Sequence, residues 1–209
     1  MQRDQRLRLL VLDTCLEACQ AAVFADGAPL AVRFEAMSRG HQERLGSMVR
    51  EAMKEAGLSF SDLDRIAVTV GPGSFTGLRV GIAFAKGLAL AADAPAVGIG
   101  TLEALAASDA APCRKAAVIE AGRGGVWLQP FDGQDPLGPP QNLPLEEARL
   151  AAAGRLVGPT ASRLAAPGQV AIDLAAPPVE AIARLAVSNE LAPPTPLYLR
   201  PPDAKPKAR

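Results

Sequence analysis

Asp13 closes an apolar run, and the next residues able to do chemistry come at Gly71-Pro72-Gly73-Ser74-Phe75-Thr76-Gly77, with Arg79 one turn further on. An acidic side chain at a strand end can hold a metal–nucleotide. A strand that stops in glycines at a helix start aims free backbone N–H groups and the positive helix end at one spot. Asp13, Gly71, Gly73, Ser74, Phe75, Thr76, Gly77 and Arg79 are therefore candidates to contact a phosphate or nucleotide. Pro72 has no N–H, so a cradle would use the amides from Gly73 to Gly77. Each candidate has a plainer reading. Asp13 can cap its own turn, and Ser74 or Thr76 can cap the helix of an ordinary tight corner. No Gly-Lys-Ser/Thr follows, and the glycine spacing of a dinucleotide site is missing. On residue types alone the corner is the simpler account.

Other chemistry is thinly supplied. His41 is the single histidine, at the start of a helical pattern, with no nucleophile to pair with it, so it reads as a surface or capping residue. Cys15, Cys19 and Cys113 lack metal-site spacing, which points to a reducing cytoplasm and to no zinc site or disulfide scaffold. Lys+Arg and Asp+Glu are both 22, which argues against a chain that grips nucleic acid alone. Aromatic residues make up 4%, too few for a base-stacking platform. With 49% hydrophobic and 21% charged residues the chain reads as globular. No signal peptide is recognised, and no segment is expected to approach a membrane span.

Periodicity supplies the scaffold around these residues. Strands are expected at Leu7 to Thr14, Cys19 to Ala25, Ala31 to Ala36, Ile66 to Val70 and Pro95 to Ile99, with a hairpin turn at Asp26-Gly27. Leu45, Met48, Val49, Ala52, Met53 and Ala56 recur at helical steps over Gln42 to Ala56, and Gly57 stops that helix. Further helices are expected at Thr76 to Ala92 and Thr101 to Ala107. After Pro112 the plan restarts. Ala116 to Glu120 parallels Leu9 to Asp13, and Gly125 to Gly133 parallels Ala21 to Gly27, each ending in Asp-Gly. The second half is poorer: a proline-rich loop from Asp135 to Pro144, short strands near Arg155 to Gly158 and Val170 to Leu174, and a helix from Val179 to Ser188. A strap from Pro193 ends in a basic tip, Lys205 to Arg209. The expectation is an α/β protein of two halves, 1–110 and 111–209, each with a mixed sheet.

The segment VGPGSFTGLRVGIAFAKGLAL, preceded by LLVLDT and followed by Thr101-Leu-Glu-Ala-Leu105, resembles the TsaB (YeaZ) family, as do EAGRGGVWLQPFD at Glu120 to Asp132 and the closing PLYLRPPDA. The resemblance implies a two-lobed fold of the actin/Hsp70/sugar-kinase (ASKHA) kind, built from duplicated ribonuclease-H-like halves. It implies a cytoplasmic accessory role in placing a threonylcarbamoyl group on the tRNA adenosine 3′ of the anticodon. A TsaD-type paralogue would carry the transferase metal site and a TsaE-type ATPase would join, with tRNA met indirectly through the complex. The paralogue's two metal-binding histidines correspond to Thr101 and Leu105, neither a plausible transition-metal ligand. So the expectation is no cofactor of its own, with ATP or ADP and magnesium belonging to the complex.

The helix after the glycine loop is apolar almost all round, and Gly77, Gly81, Ala85 and Ala89 form a small-residue ridge. It must be covered on every side, either within the monomer or by another molecule. His41, Leu45, Met48, Ala52, Gly81, Ala85 and Leu88 are the candidate contacts to the paralogue, or to a second copy in a homodimer. The rival is a small ATPase or acyl/phosphoryl transferase using Asp13, the Gly71–Gly77 loop and Arg79; a nucleotide site shared at the interface is a further alternative. A protease is disfavoured, because no Ser–His or Cys–His pairing is visible.

Overall fold

A computed structural model describes residues 7–188 and 192–199; the basic tip lies outside the described residues. The first sheet takes β1 (Arg8–Asp13), β2 (Ala18–Ala25) and β3 (Ala28–Ala36) as an antiparallel meander, then β4 (Arg65–Thr69) and β5 (Ala96–Ile99) in parallel, in the order β3-β2-β1-β4-β5. The hairpin turn forms where expected, with Asp26 at φ 52° and Gly27 at φ 78°. β1 is apolar from Leu9 to Leu12 because both its faces are covered. Leu10 and Leu12 point to one core, Leu9 and Val11 to the other.

Helices α1 (His41–Ala56) and α2 (Phe75–Ala92) cover the first of these faces. The apolar stripe of α1 lies inward, and Gly57 ends the helix at φ 65°, with the Leu58 amide reaching back to the Met53 carbonyl. α3 (Thr101–Ser108) leads into the second sheet, which it packs against through Leu102, Leu105 and Ala106.

That sheet repeats the plan in reduced form. β6 (Arg114–Gly122), β7 (Gly125–Asp132) and β8 (Asp135–Pro136) are antiparallel; β10 (Arg155–Val157) and β11 (Ala171–Ile172) are parallel, in the order β11-β10-β6-β7-β8. The expected proline-rich loop contains β8 and β9 (Gln141–Pro144), both paired with β7. Two short helices, α4 (Leu145–Ala151) and α5 (Ala161–Leu164), were not anticipated from the sequence. α6 (Val179–Ser188) then returns to the first lobe, placing Val179, Ile182, Ala183 and Ala186 on the second face of its sheet. The strap joins it there: the Ala192 carbonyl accepts from the Gly98 amide (3.0 Å) and the Leu197 amide donates to Val70 (2.7 Å). The first sheet thus ends at Ile99 and the second begins at Arg114, while the chain's end packs on the first lobe.

Candidate functional site

The glycine loop stands at the corner between β4 and α2, against the turn after β1. Asp13 is wholly buried there. Its Oδ1 accepts from the Thr69 hydroxyl (2.6 Å) and the Cys15 amide (3.1 Å), and its Oδ2 from Gln20 Nε2 (2.9 Å). Gln20 in turn reaches the Pro177 carbonyl (3.0 Å), tying the acid to the chain just before α6. Burial pushes the Asp13 carboxyl above the usual carboxylate range, opposed by the bonds from Thr69, Cys15 and Gln20. Cys15 Sγ donates to Thr69 (2.9 Å), and burial, then the neighbouring Asp13, pushes its thiol upward. The expected contact of Asp13 with a nucleotide is corrected by this geometry: its carboxylate oxygens are used inside the protein.

Two of the loop's own donors are also engaged. The Ser74 amide donates to the Cys15 carbonyl (2.7 Å), the Gly77 amide to the Ser74 hydroxyl (3.2 Å), and the Leu78 amide to the Ser74 carbonyl (2.9 Å). Ser74 is the helix N-cap. The glycines are there for close approach. A Cβ at Gly73 would collide with the Cys15 carbonyl, and one at Gly77 with the Thr14 carbonyl. Thr14 answers with its hydroxyl on the Gly77 carbonyl (2.7 Å). Gly71, at φ 109°, passes under the Leu197 carbonyl of the strap. The structure therefore has a capped corner in which the Ser74 and Gly77 amides are spent inside the protein. Phe75 and Thr76 face outward, and Arg79 lies over the Phe75 ring at 3.8 Å with its Nε 3.3 Å from the Tyr198 hydroxyl. Tyr198, whose ring is 5.3 Å from that of Phe75, was not singled out from the sequence. Neither were Thr69 and Gln20. Their tie to Asp13 joins residues that no short motif connects.

Most of the expected contact residues face inward. Leu45, Met48, Ala52 and Ala85 are buried in the first core, Gly81 lies against Thr14 and Val68, and His41 is 7% exposed. This corrects their assignment to an outer contact: the small-residue ridge lets the sheet come close, not a partner. Leu88 alone among them is half-exposed. The outer face of α2 is instead Thr76, Val80, Ala83, Gly87, Leu90 and Ala91, with Leu90 87% exposed and nothing within 4 Å of a Cβ at Gly87. α1 shows solvent a different character, with Arg44 bonded to Glu35 (2.6 Å) and Glu51 (2.8 Å) and Arg33 paired with Glu55.

α2 also corrects the expectation about membrane-length segments. Its 18 residues have mean hydropathy 1.4, long and apolar enough on composition to cross a bilayer, yet 28% of them are buried. Leu78, Ile82 and Ala85 anchor its inner side in the first core. Its outer side is open, with Ala83, Gly87, Leu90 and Ala91 flanked by the exposed cations Arg79 and Lys86. Thr101 and Leu105 are fully buried, Leu105 in the core beneath α3, and among the described residues no group of three His, Cys, Asp or Glu side chains converges.

The family model for tRNA N6-adenosine threonylcarbamoyltransferase (TsaD) matches residues 32–189. The chain is 43% identical over 100 residues to the tRNA threonylcarbamoyladenosine biosynthesis protein TsaB of Escherichia coli (strain K12), a match that takes in 48% of this chain and 43% of that protein. An uncharacterised protein of Mycobacterium tuberculosis (strain H37Rv) is 35% identical over 219 residues, spanning 100% of this chain and 99% of its own. YeaZ from Pseudomonas aeruginosa superposes with a TM-score of 0.78 at 31% identity, covering 92% of this chain and 100% of that one. With these matches and its two mixed sheets, the chain belongs to the TsaB (YeaZ) family and has that family's two-lobed, actin-like α/β fold.

Proposed function

We propose that this protein is a cytoplasmic accessory subunit in the formation of N6-threonylcarbamoyladenosine in tRNA, and that it works by docking the outer face of α2 on a TsaD-type paralogue. The observation that carries the reading is the contrast within the first lobe: Asp13 and the Ser74 and Gly77 amides are committed inside the protein, while an 18-residue apolar helix leaves its outer side open. An exposed apolar stripe of this kind is a partner surface in a folded protein. The match to the transferase family model supports a related partner, whose corresponding helices would meet these in a quasi-symmetric contact. When the paralogue is absent, the same face suits a second copy of this chain.

Burial of Asp13 and commitment of the Ser74 and Gly77 amides favour this reading over a small ATPase or group transferase. ATP, magnesium, a TsaE-type ATPase and the tRNA belong to the assembled complex on this account, with the transfer chemistry on the paralogue. The test is complementation. A strain depleted of this protein and supplied with the wild-type chain should regain threonylcarbamoyladenosine in bulk tRNA, measured by mass spectrometry. Supplied with Ala83→Glu, which points a charge outward from α2 and spares the core, it should not. Full restoration by an Ala83→Glu chain of unchanged melting temperature would count against docking through this face.

A further inference from the structure

β3 is the outer strand of the first sheet, paired with β2 on one side and with no strand on the other among the described residues. The amide of Met37, just past β3, donates to the Glu17 carbonyl (3.1 Å), one step beyond the Ala18–Ala36 pair of the ladder. Residues two apart share that role in an antiparallel pair, so Glu35, Arg33 and Ala31 turn their N–H and C=O groups to β2. Val32 and Phe34 turn theirs outward. The Val32 carbonyl accepts instead from Arg33 Nη1 (2.9 Å), outside the ladder. Side chains alternate likewise. Ala31 lies in the first core, and Arg33 and Glu35 face α1, where Arg33 meets Glu55 and Glu35 meets Arg44. Leu30, Val32 and Phe34 share the opposite face and are 43%, 39% and 56% exposed.

Outer strands are normally blunted by proline, charge or a bulge. Pro29 and the irregularity at Val23/Phe24 do this at the start of β3, but the stretch from Val32 to Ala36 is regular. The order of charges along it decides what fits. Laid antiparallel on a second copy with Phe34 opposite Phe34, the strand sets Arg33 against Glu35 twice, once on each side of the two-fold axis, and Val32 against Ala36. Centred on Arg33 or on Glu35, it would set like charges together. Centred on Val32, it would set Arg33 against Ala31 and leave the charges unmatched. The first register is self-complementary in charge on one face and apolar on the other, and it leaves Pro29 outside the paired stretch.

We propose that two copies of this chain join edge to edge through β3, Phe34 on Phe34, into one continuous sheet. The Arg33 guanidinium leaves the Val32 carbonyl for Glu35 of the second copy, and the Ala36 amide of that copy takes its place. The contact is independent of docking through α2, which packs over β4 away from this edge. Sedimentation velocity of the full-length Leu90→Glu chain, whose α2 face carries a charge, reads it alone, and a dimer should appear as concentration rises to about 100 μM. In that background Arg33→Glu and Glu35→Arg should each weaken the dimer at least about tenfold. An equimolar mixture of the two should restore it, since the exchanged charges then face their opposites. Phe34→Lys changes an exposed side chain, so it should keep the parent's melting temperature and remain monomeric. A Leu90→Glu chain that is monomeric at about 100 μM would overturn the proposal. So would a Phe34→Lys or Arg33→Glu chain that dimerises as tightly as its parent, or a mixture that stays monomeric while both variants melt as the parent does.

Discussion

The two lobes turn the same corner and then diverge. Val70-Gly71-Pro72 ends β4 and Val157-Gly158-Pro159 ends β10, each strand parallel to the first strand of its sheet. Both glycines have positive φ, 109° and 133°. In each lobe a glycine at the corner lets the chain touch the backbone of that first strand or the turn just after it: Gly73 against the Cys15 carbonyl, Gly158 against that of Val118. The helices beyond the two corners differ. The first lobe continues into 18 residues of α2 beside 16 of α1, the second into 4 of α5 beside 7 of α4. A feature that both lobes retain, whatever helix comes next, is a requirement of the fold. The glycine corner is thus architecture, and the long helix that only the first lobe has is where the proposed docking would differ between the lobes.

The greatest loss should come from breaking the corners. Gly77→Ala and Gly158→Ala each drive a Cβ into a carbonyl oxygen, of Thr14 and Val118 respectively, and each should cost about 3 kcal/mol of unfolding free energy by denaturant titration. A corner built for an anion would instead tolerate Gly77→Ala in stability and lose only a ligand. Next come the two most exposed leucines among the described residues, Leu90 of α2 at 87% and Leu150 of α4 at 90%. Leu90→Glu should reduce co-purification of the paralogue by about 10- to 100-fold, whereas Leu150→Glu should leave it unchanged. Both variants should keep their stability within about 0.5 kcal/mol.

Gly87→Ala probes the role of helix glycines from the other side. With open space at its Cβ, the same substitution that breaks Gly77 should stabilise the protein by about 0.5–1 kcal/mol, seen as a raised melting temperature. The smallest effect is one of sign. Asp13 titrates above its unfolded value because it is buried, so its stabilising form is the protonated one. That contribution is full below the ordinary carboxylate pKa of about 3.9 and is lost as pH rises through the raised value. Asp13→Asn should therefore gain stability relative to wild type as pH increases. Asp109 is the converse: burial raises its pKa, but the Arg155 guanidinium at 2.6 Å and further bonds hold it below the usual range. Asp109→Asn should cost stability at neutral pH, and the cost should shrink below the ordinary carboxylate pKa and vanish only as pH falls through the lowered folded value.

The first lobe was readable because its signals are strong. β1 is apolar on both faces, α1 keeps one stripe, and Asp26-Gly27 and Gly57 punctuate the elements where φ must be positive. The second lobe was not, since β10 has 3 residues and β11 has 2, and α4 buries a single side chain, Ala148. Periodicity groups Leu45, Met48 and Ala52 on one face of α1 but cannot say whether that face meets a sheet or a partner. The same ambiguity misplaced Gly81 and Ala85. The sealing of Asp13 depends on Thr69 and Gln20, 56 and 7 residues away, which no local pattern links. The repeated Val-Gly-Pro was present in the chain and is the signal that could have shown the corner to be a property of the fold.

Hydrogen–deuterium exchange of the full chain, with and without the purified TsaD-type paralogue, is the sharpest test of docking through α2. Added protection should concentrate along that helix, across Thr76 to Ala91, and leave α4 and α5 unchanged. Protection confined to the second lobe, with α2 exchanging as in the free protein, would refute it.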